Sequence, residues 1–218
     1  MIYVDKETGA IANGFDCSHW NGAIIPASTS YYVPYFDPWV QLIGMKACDI
    51  GQGKGMLPDG SDPQFKRTRE IAKECNVRWR AFYIYLRPTS LVKQLALLAN
   101  TVGELSPGEC VYVDWEDAGV ILAQLYDFIH LLDSVYPNRY LVYCNDNSYM
   151  EQQYLGGEKA PLWFPHYRAE EVDTPIGHGA VVWQTGKAKT PYFGTEVPLD
   201  YVLQPRTMDR LCYNAPQY

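Results

Sequence analysis

Two carboxylates stand two residues apart in the stretch VYVDWED, residues 111–117. Val, Tyr and Trp fill four of its first five positions, so the stretch reads as a β-strand. Side chains alternate across a strand, so Tyr112, Asp114 and Glu116 share one face while Val111, Val113 and Trp115 share the other. An acid beside a carboxylate is what glycosidic bond cleavage uses: one group protonates the leaving oxygen and the other supports the developing positive charge. Two readings stay open on this stretch alone. An edge strand with a wet face carries Asp and Glu for solubility. A buried strand carries them only when they are paired or working.

The elements around them decide. Strand-like runs recur at 13–20 (NGFDCSHW), 41–48 (QLIGMKAC), 79–88 (WRAFYIYLRP), 110–117, 139–144 (RYLVYC), 160–167 (APLWFPHY), 180–185 (AVVWQT) and 197–203 (VPLDYVL). Helical spacing fills three of the gaps. Residues 62–75 carry Phe65, Ile71, Ala72 and Cys75 at helical intervals, with Asp62 as N-cap and Pro63 in the first turn. Residues 90–105 follow Ser90 as N-cap. Residues 120–136 end before Pro137. After residue 150 the helical patterns fade into short strands and loops. Strands alternating with helices predict a parallel sheet, and eight of them predict a closed, irregular barrel filling a single domain, 1–218.

In such a barrel the chemistry sits at the C-terminal ends of the strands. Asp114 and Glu116 lie at that end of the fourth strand, and Asp16 at the end of the first. Asp200 lies on the eighth, which closure makes a neighbour of the first. Four acids therefore converge on one mouth. Held close, they raise one another's pKa, so at least one stays protonated near neutrality. Hard cations also bind clustered carboxylates, but a divalent-metal hydrolase usually adds His ligands, and only His19 lies near a strand end here. GQGKG (51–55) lacks the glycine spacing and the Ser or Thr of a phosphate loop. Cys17 and His19 lack the oriented third group of a Cys-His nucleophile.

Composition narrows the classes. The formal net charge is −7 and no Lys/Arg cluster stands out, which argues against nucleic acid. No apolar run is long enough to span a membrane. The N-terminus MIYVDKETGA reads as no secretory signal peptide. The six cysteines have no C-x-x-C pair and read as reduced, mostly buried thiols. The 18 Tyr and 6 Trp suit stacking on sugar rings, though they also fill ordinary cores.

With these residues in view, the chain resembles the glycoside hydrolase family 25 muramidases, the Chalaropsis-type lysozymes. GFDCSHWNG is similar to that family's opening motif, and GMKACDIG with DPQF to its second strand and following helix. FYIYLRP resembles its third strand, and VDWED its D-x-E motif. LWFPHY, VWQTG and PLD resemble its late strands. The match runs from about residue 13 to 203. The resemblance implies an α/β fold, an irregular TIM-like (β/α)5(β)3 barrel. It implies hydrolysis of the β-1,4 bond between N-acetylmuramic acid and N-acetylglucosamine. Glu116 would be the general acid and Asp114 would stabilise charge or orient the substrate's N-acetyl group. Asp16 and Asp200 would hold the proton network. Tyr83, Trp163, Tyr167 and Trp183 would contact sugar. No metal and no other cofactor is expected.

Two departures stand out. Ile84 replaces a His that many members carry, implying a missing polar sugar contact, and residues 23–38 lengthen the first crossover. The competing functions are a nonhydrolytic glycan-binding barrel and a chitinase- or glucosaminidase-type hydrolase. The expected partner is the peptidoglycan glycan strand, with no nucleic acid and no membrane, for a chain acting as a monomer. The expected setting is a phage lysis protein, an endolysin made in the bacterial cytoplasm and released through a holin or carried on a virion.

Overall fold

The computed structural model describes residues 13–24, 27–28, 34–51, 54–144, 160–165, 180–193 and 195–213. Its elements in chain order are β1 (Gly14–Cys17), β2 (Ala27–Ser28), β3 (Pro34–Tyr35), β4 (Leu42–Cys48), α1 (Phe65–Glu74), β5 (Trp79–Tyr85), α2 (Leu91–Val102), β6 (Glu109–Trp115), α3 (Leu122–Val135), β7 (Tyr140–Cys144), β8 (Leu162–Pro165), β9 (Ala180–Lys189), β10 (Glu196–Val202) and α4 (Pro205–Tyr213). Eight strands close a barrel in the order β1-β10-β9-β8-β7-β6-β5-β4, and β2 pairs with β3 in a separate ribbon.

The barrel is mixed rather than wholly parallel. β1 runs parallel to β4, and the pairs from β4 through β9 are parallel. β10 is antiparallel to both β9 and β1. The reason is the short turn after Lys189: without a crossover helix the chain can only fold back beside the strand it has just left. Closure sets Gly14 opposite Asp200 and Phe15 opposite Leu199.

Alternation on β6 sorts its side chains as the sequence predicts. Val111, Val113 and Trp115 join the cluster between barrel and helices, and Tyr112 joins the cluster on the barrel axis. The same parity on β5 sends Phe82 and Ile84 outward and Tyr83 inward. Ile84 is fully buried in the outer layer, so it leaves no gap in a sugar site; the expectation of a missing contact there is corrected by strand parity. The described part of the lengthened first crossover packs outside as well. Phe36 and Trp39 meet Phe15 and Tyr192 edge-on or tilted at ring separations of 4.8 to 6.4 Å.

Helices α1, α2 and α3 fill the crossovers predicted for them. Ser90 caps α2 by accepting from the Lys93 N–H. Asp62 does not cap α1 directly. The helix starts at Phe65 after Gln64, and Asp62 accepts from the Gln64 N–H in the preceding turn. In the first crossover the described residues form a 3-10 turn and the β2–β3 ribbon in place of an α-helix.

The helix α4 lies where helical patterning was read as fading. Met208, Leu211 and Cys212 repeat at helical spacing and are buried with Leu42, Trp79 and Cys110, whose strands begin there. This helix closes the end of the barrel opposite the mouth. Asp209 accepts from the Trp79 indole at 3.0 Å, and Cys212 O accepts from the Gly108 N–H. At the same end Glu109, fully buried, takes two bonds from Arg69 at 3.0 and 2.6 Å and one from the Ser106 N–H. The six cysteines are free thiols, five of them buried. No helix among the described residues is long and apolar enough to cross a membrane.

Candidate active site

Asp16, Asp114 and Glu116 meet in one cavity of about 270 Å³ at the C-terminal ends of the parallel strands, with Tyr83, Tyr112 and Tyr143 on its walls. Gln184, Lys187 and Pro198 complete the lining. Asp200 lies directly beneath, fully buried, with Oδ1 accepting the Trp163 indole N–H at 3.1 Å. Antiparallel pairing explains its depth: on β10 it stands opposite Gly14, two residues before Asp16 on β1.

The floor is close-packed. Tyr112 stacks on Tyr83 at 4.9 Å and on Trp163 at 4.6 Å. Gly44 on β4 leaves the space they fill. A Cβ there would come within 2.8 Å of Asp16 Cβ, 2.8 Å of the Trp163 ring and 3.0 Å of the Tyr112 hydroxyl.

The four acids differ in exposure. Glu116 follows the end of β6 and is exposed, Asp16 is half-buried, and Asp114 and Asp200 are buried. Burial pushes Asp16 up to about 7, reinforced by the charge of Glu116 and opposed by Lys187 and a hydrogen bond from Gln184. Burial and then Glu116 hold Asp114 well above the usual carboxylate range, against Lys46. Burial and then Asp16 raise Asp200, against Trp163 and Gln184. Glu116 is raised by desolvation within the mouth, against Tyr143 and Lys46. Asp114 Oδ1 is buried with no hydrogen-bond partner among the described residues. Such an atom is costly unless a ligand meets it.

A polar chain runs across the mouth. The Tyr143 hydroxyl donates to Gln184 Oε1 at 3.1 Å, and Gln184 Nε2 donates to Asp16 Oδ2. Around the rim, Arg87 bonds Asp49 at 3.0 and 2.9 Å and Asp117 at 3.2 Å, and lies over the Tyr85 ring at 4.2 Å. Asp49 in turn holds Lys46 at 3.4 Å. That anchor fixes a cation beside Asp114 and Glu116.

Of the residues expected to contact sugar, Tyr83 lines the cavity. Trp163 does not: it is fully buried beneath the floor, so it supports Asp200 and cannot offer a ring face. Trp183 does not line the cavity either. Strand parity turns it away from the cavity that the next residue, Gln184, lines, and its ring lies against Tyr201 at 5.5 Å. Tyr167 lies outside the described residues. His19, weighed as a metal ligand, bonds Asp62 at 2.7 Å and Lys54 O at 3.0 Å. Among the described residues no group of three or more His, Cys, Asp and Glu side chains is placed to hold a metal ion.

Tyr143, Lys46 and Lys187 were not singled out from the sequence, and Gln184 entered only through the VWQTG resemblance, with no role. Parity carried the signal for Tyr143: Leu141 faces the axis and Val142 the outer layer, so Tyr143 faces the axis again.

No family model and no curated protein matches the chain. Solved structures do. The bacterial lysozyme of Streptomyces coelicolor matches with a TM-score of 0.68 at 18% identity, over 92% of this chain and 96% of that one. A glycosyl hydrolase 25 virulence factor of Streptococcus pneumoniae matches with a TM-score of 0.69 at 17% identity, over 93% and 92%. The catalytic domain of an endolysin from a Listeria monocytogenes bacteriophage matches with a TM-score of 0.67 at 12% identity, over 90% and 95%. The chain has the barrel fold of the glycoside hydrolase family 25 lysozymes.

Proposed function

We propose that the chain is a peptidoglycan hydrolase, an N-acetylmuramidase that cleaves the β-1,4 bond between N-acetylmuramic acid and N-acetylglucosamine. The observation that carries this reading is a buried Asp114 near the end of β6 and an exposed Glu116 just past it, at the mouth of a barrel shared with lysozymes.

Glu116 is the general acid. Its raised pKa keeps a proton available, and its exposure lets that proton reach the glycosidic oxygen. Asp114 is the supporting group. Its unpartnered Oδ1 suits the N–H of the substrate's N-acetyl group, whose oxygen then closes on the anomeric carbon as the C–O bond breaks. Water opens that intermediate and gives its proton to Glu116, so configuration is retained. Asp16 and Asp200 hold neighbouring protons and limit the negative charge in the mouth. Tyr83 offers a ring edge to sugar. The endolysin neighbours support a wall-lysing role; in this reading the chain is a phage lysin that works as a monomer on glycan strands.

The test is turbidity loss on purified cell walls with reducing-end analysis of the products. Muramic acid at the new reducing end and loss of about 10²–10⁴-fold in rate for Glu116→Gln are expected. Reducing glucosamine ends would make the enzyme a glucosaminidase. Walls unchanged by the parent protein would leave a binding barrel.

A further inference from the structure

We propose that Lys187 is a specificity-determining residue whose ammonium group takes a carboxylate borne by the substrate, either the lactyl carboxyl of muramic acid or a carboxyl of the stem peptide attached there. The inference rests on the muramidase reading and names the group that tells its substrate from an uncharged, chitin-like strand.

The register of β9 carries the argument. Asp200 pairs with Gln184 and Leu199 with Gly186, so residue 185 has no partner on β10 and β9 bulges there. A bulge inserts one residue, and a slip of one residue exchanges the two faces of a strand. Before the bulge the even positions face inward: Val182 joins the axial cluster and Gln184 lines the cavity, while Trp183 packs outward. Past the bulge the parity is reversed: Lys187 lines the cavity and Ala188 packs outward. Alternation on β10 is unbroken, with Pro198 in the cavity lining and Leu199 and Tyr201 packed outward. Without the extra residue Lys187 would face the outer layer. The bulge therefore aims a cation into the mouth.

The chemistry of the mouth gives that cation a use. Its lining holds three carboxyls, Asp16, Asp114 and Glu116, and like charges oppose the entry of an anionic ligand. Muramic acid differs from N-acetylglucosamine by a lactyl ether that ends in a carboxyl group. That group is free in a bare glycan. Where it is amide-linked to a stem peptide, the peptide's own carboxyls supply the charge. Lys187 is exposed and makes no hydrogen bond or ion pair among the described residues, so its three N–H donors are open to a ligand. The other cations at the rim are engaged. Lys46 bonds Asp49 at 3.4 Å with 10% of its side chain exposed, and Arg87 bonds Asp49 and Asp117. β9 lies three strands around the barrel from β6, so Lys187 meets a bound sugar across the mouth from Asp114.

The experiment is calorimetric binding at low salt, in a Glu116→Gln background so that turnover does not intervene. The ligands are three tetrasaccharides of alternating N-acetylglucosamine and N-acetylmuramic acid. One has free lactyl carboxylates, one has them as methyl amides, and one carries stem peptides with free carboxylates. Lys187 is compared with Lys187→Met and Lys187→Arg, with circular dichroism to confirm folding. With Lys187 in place, a charged ligand should bind about fivefold tighter than the amide, the scale of one ion pair within reach of solvent. Lys187→Met should remove that difference, Lys187→Arg should keep it, and added salt should shrink it. A difference on the bare strand assigns the lactyl carboxyl, and one on the peptide-bearing strand alone assigns the stem. The inference is overturned if neither charged ligand binds tighter than the amide, or if the difference survives Lys187→Met. An equal loss on all three ligands would also overturn it and leave Lys187 as a counter-charge to Asp16. Binding needs no turnover, so a parent enzyme that releases no reducing ends from walls would refute the muramidase reading and leave this result legible.

Discussion

The indole N–H of Trp163 donates to Asp200 Oδ1 at 3.1 Å, and both side chains are fully buried beneath the mouth. Trp163→Phe keeps a ring but removes the donor. A buried acceptor stripped of its partner costs about 1–3 kcal/mol. The expected result in urea unfolding is a lower midpoint with an unchanged m-value. A variant as stable as the parent would show that the bond contributes nothing.

Asp16 gives stability a pH dependence. Its folded pKa of about 7 stands above the ordinary 3.8, so between those values the native state keeps a proton that the unfolded chain has lost. Stability therefore falls as pH rises from about 4 to 7 and levels off above that. Asp114, Asp200 and Glu116 are raised in the same direction and add to the slope. Asp16→Asn removes one contribution. The variant should match the parent at about pH 3 and exceed it at about pH 8, as followed by thermal unfolding. A constant difference at all pH values would contradict the raised pKa.

Glu109 lies at the far end of β6 from Asp114, fully buried between Arg69 and Arg80 at 2.6 and 3.6 Å. Glu109→Ala leaves two guanidinium groups without their carboxylate. Breaking a buried pair from one side costs about 3–5 kcal/mol. Denaturation should show that loss, while the folded fraction keeps its wall-lysing rate. A large drop in rate at full folding would mean that the two ends of the barrel are coupled.

Stereochemistry tests the mechanism. Asp114 near the end of β6 and Glu116 just past it are two residues apart along extended chain, so their Cα atoms are roughly 6.5–7 Å apart and both reach the sugar from one side. An inverting pair needs its base across the ring, with the carboxyls about 6.5–9.5 Å apart. Proton NMR at early times should show the β-anomer as first product. An initial α-anomer would rule out the internal N-acetyl nucleophile.

Strand order and the pairing of Asp114 with Glu116 were readable because alternation is local: each of VYVDW and AFYIY declares its two faces without help from elsewhere. The adjacency of Asp16 and Asp200 was readable only through closure. The depth of Asp200 was not, because it follows from the antiparallel seam at β10, which a turn after Lys189 dictates. Trp163 and Trp183 look alike in sequence, as aromatics in late strands. One is buried under the floor and the other faces the outer layer, and composition does not encode that difference. α4 was missed because nine residues hold only about two and a half turns of periodicity, and because its apolar side packs on strand ends scattered through the chain. Gln184 escaped because a lone amide carries no chemistry until its neighbours are known.

Gly44 shapes the mouth without bearing a functional group. The missing side chain is a shape, shared by Asp16, Trp163 and Tyr112. Adding one methyl there would alter no acid, yet it would wedge β1 and β8 away from the axis together. The way the carboxyls face one another thus depends on a side chain that a third strand lacks.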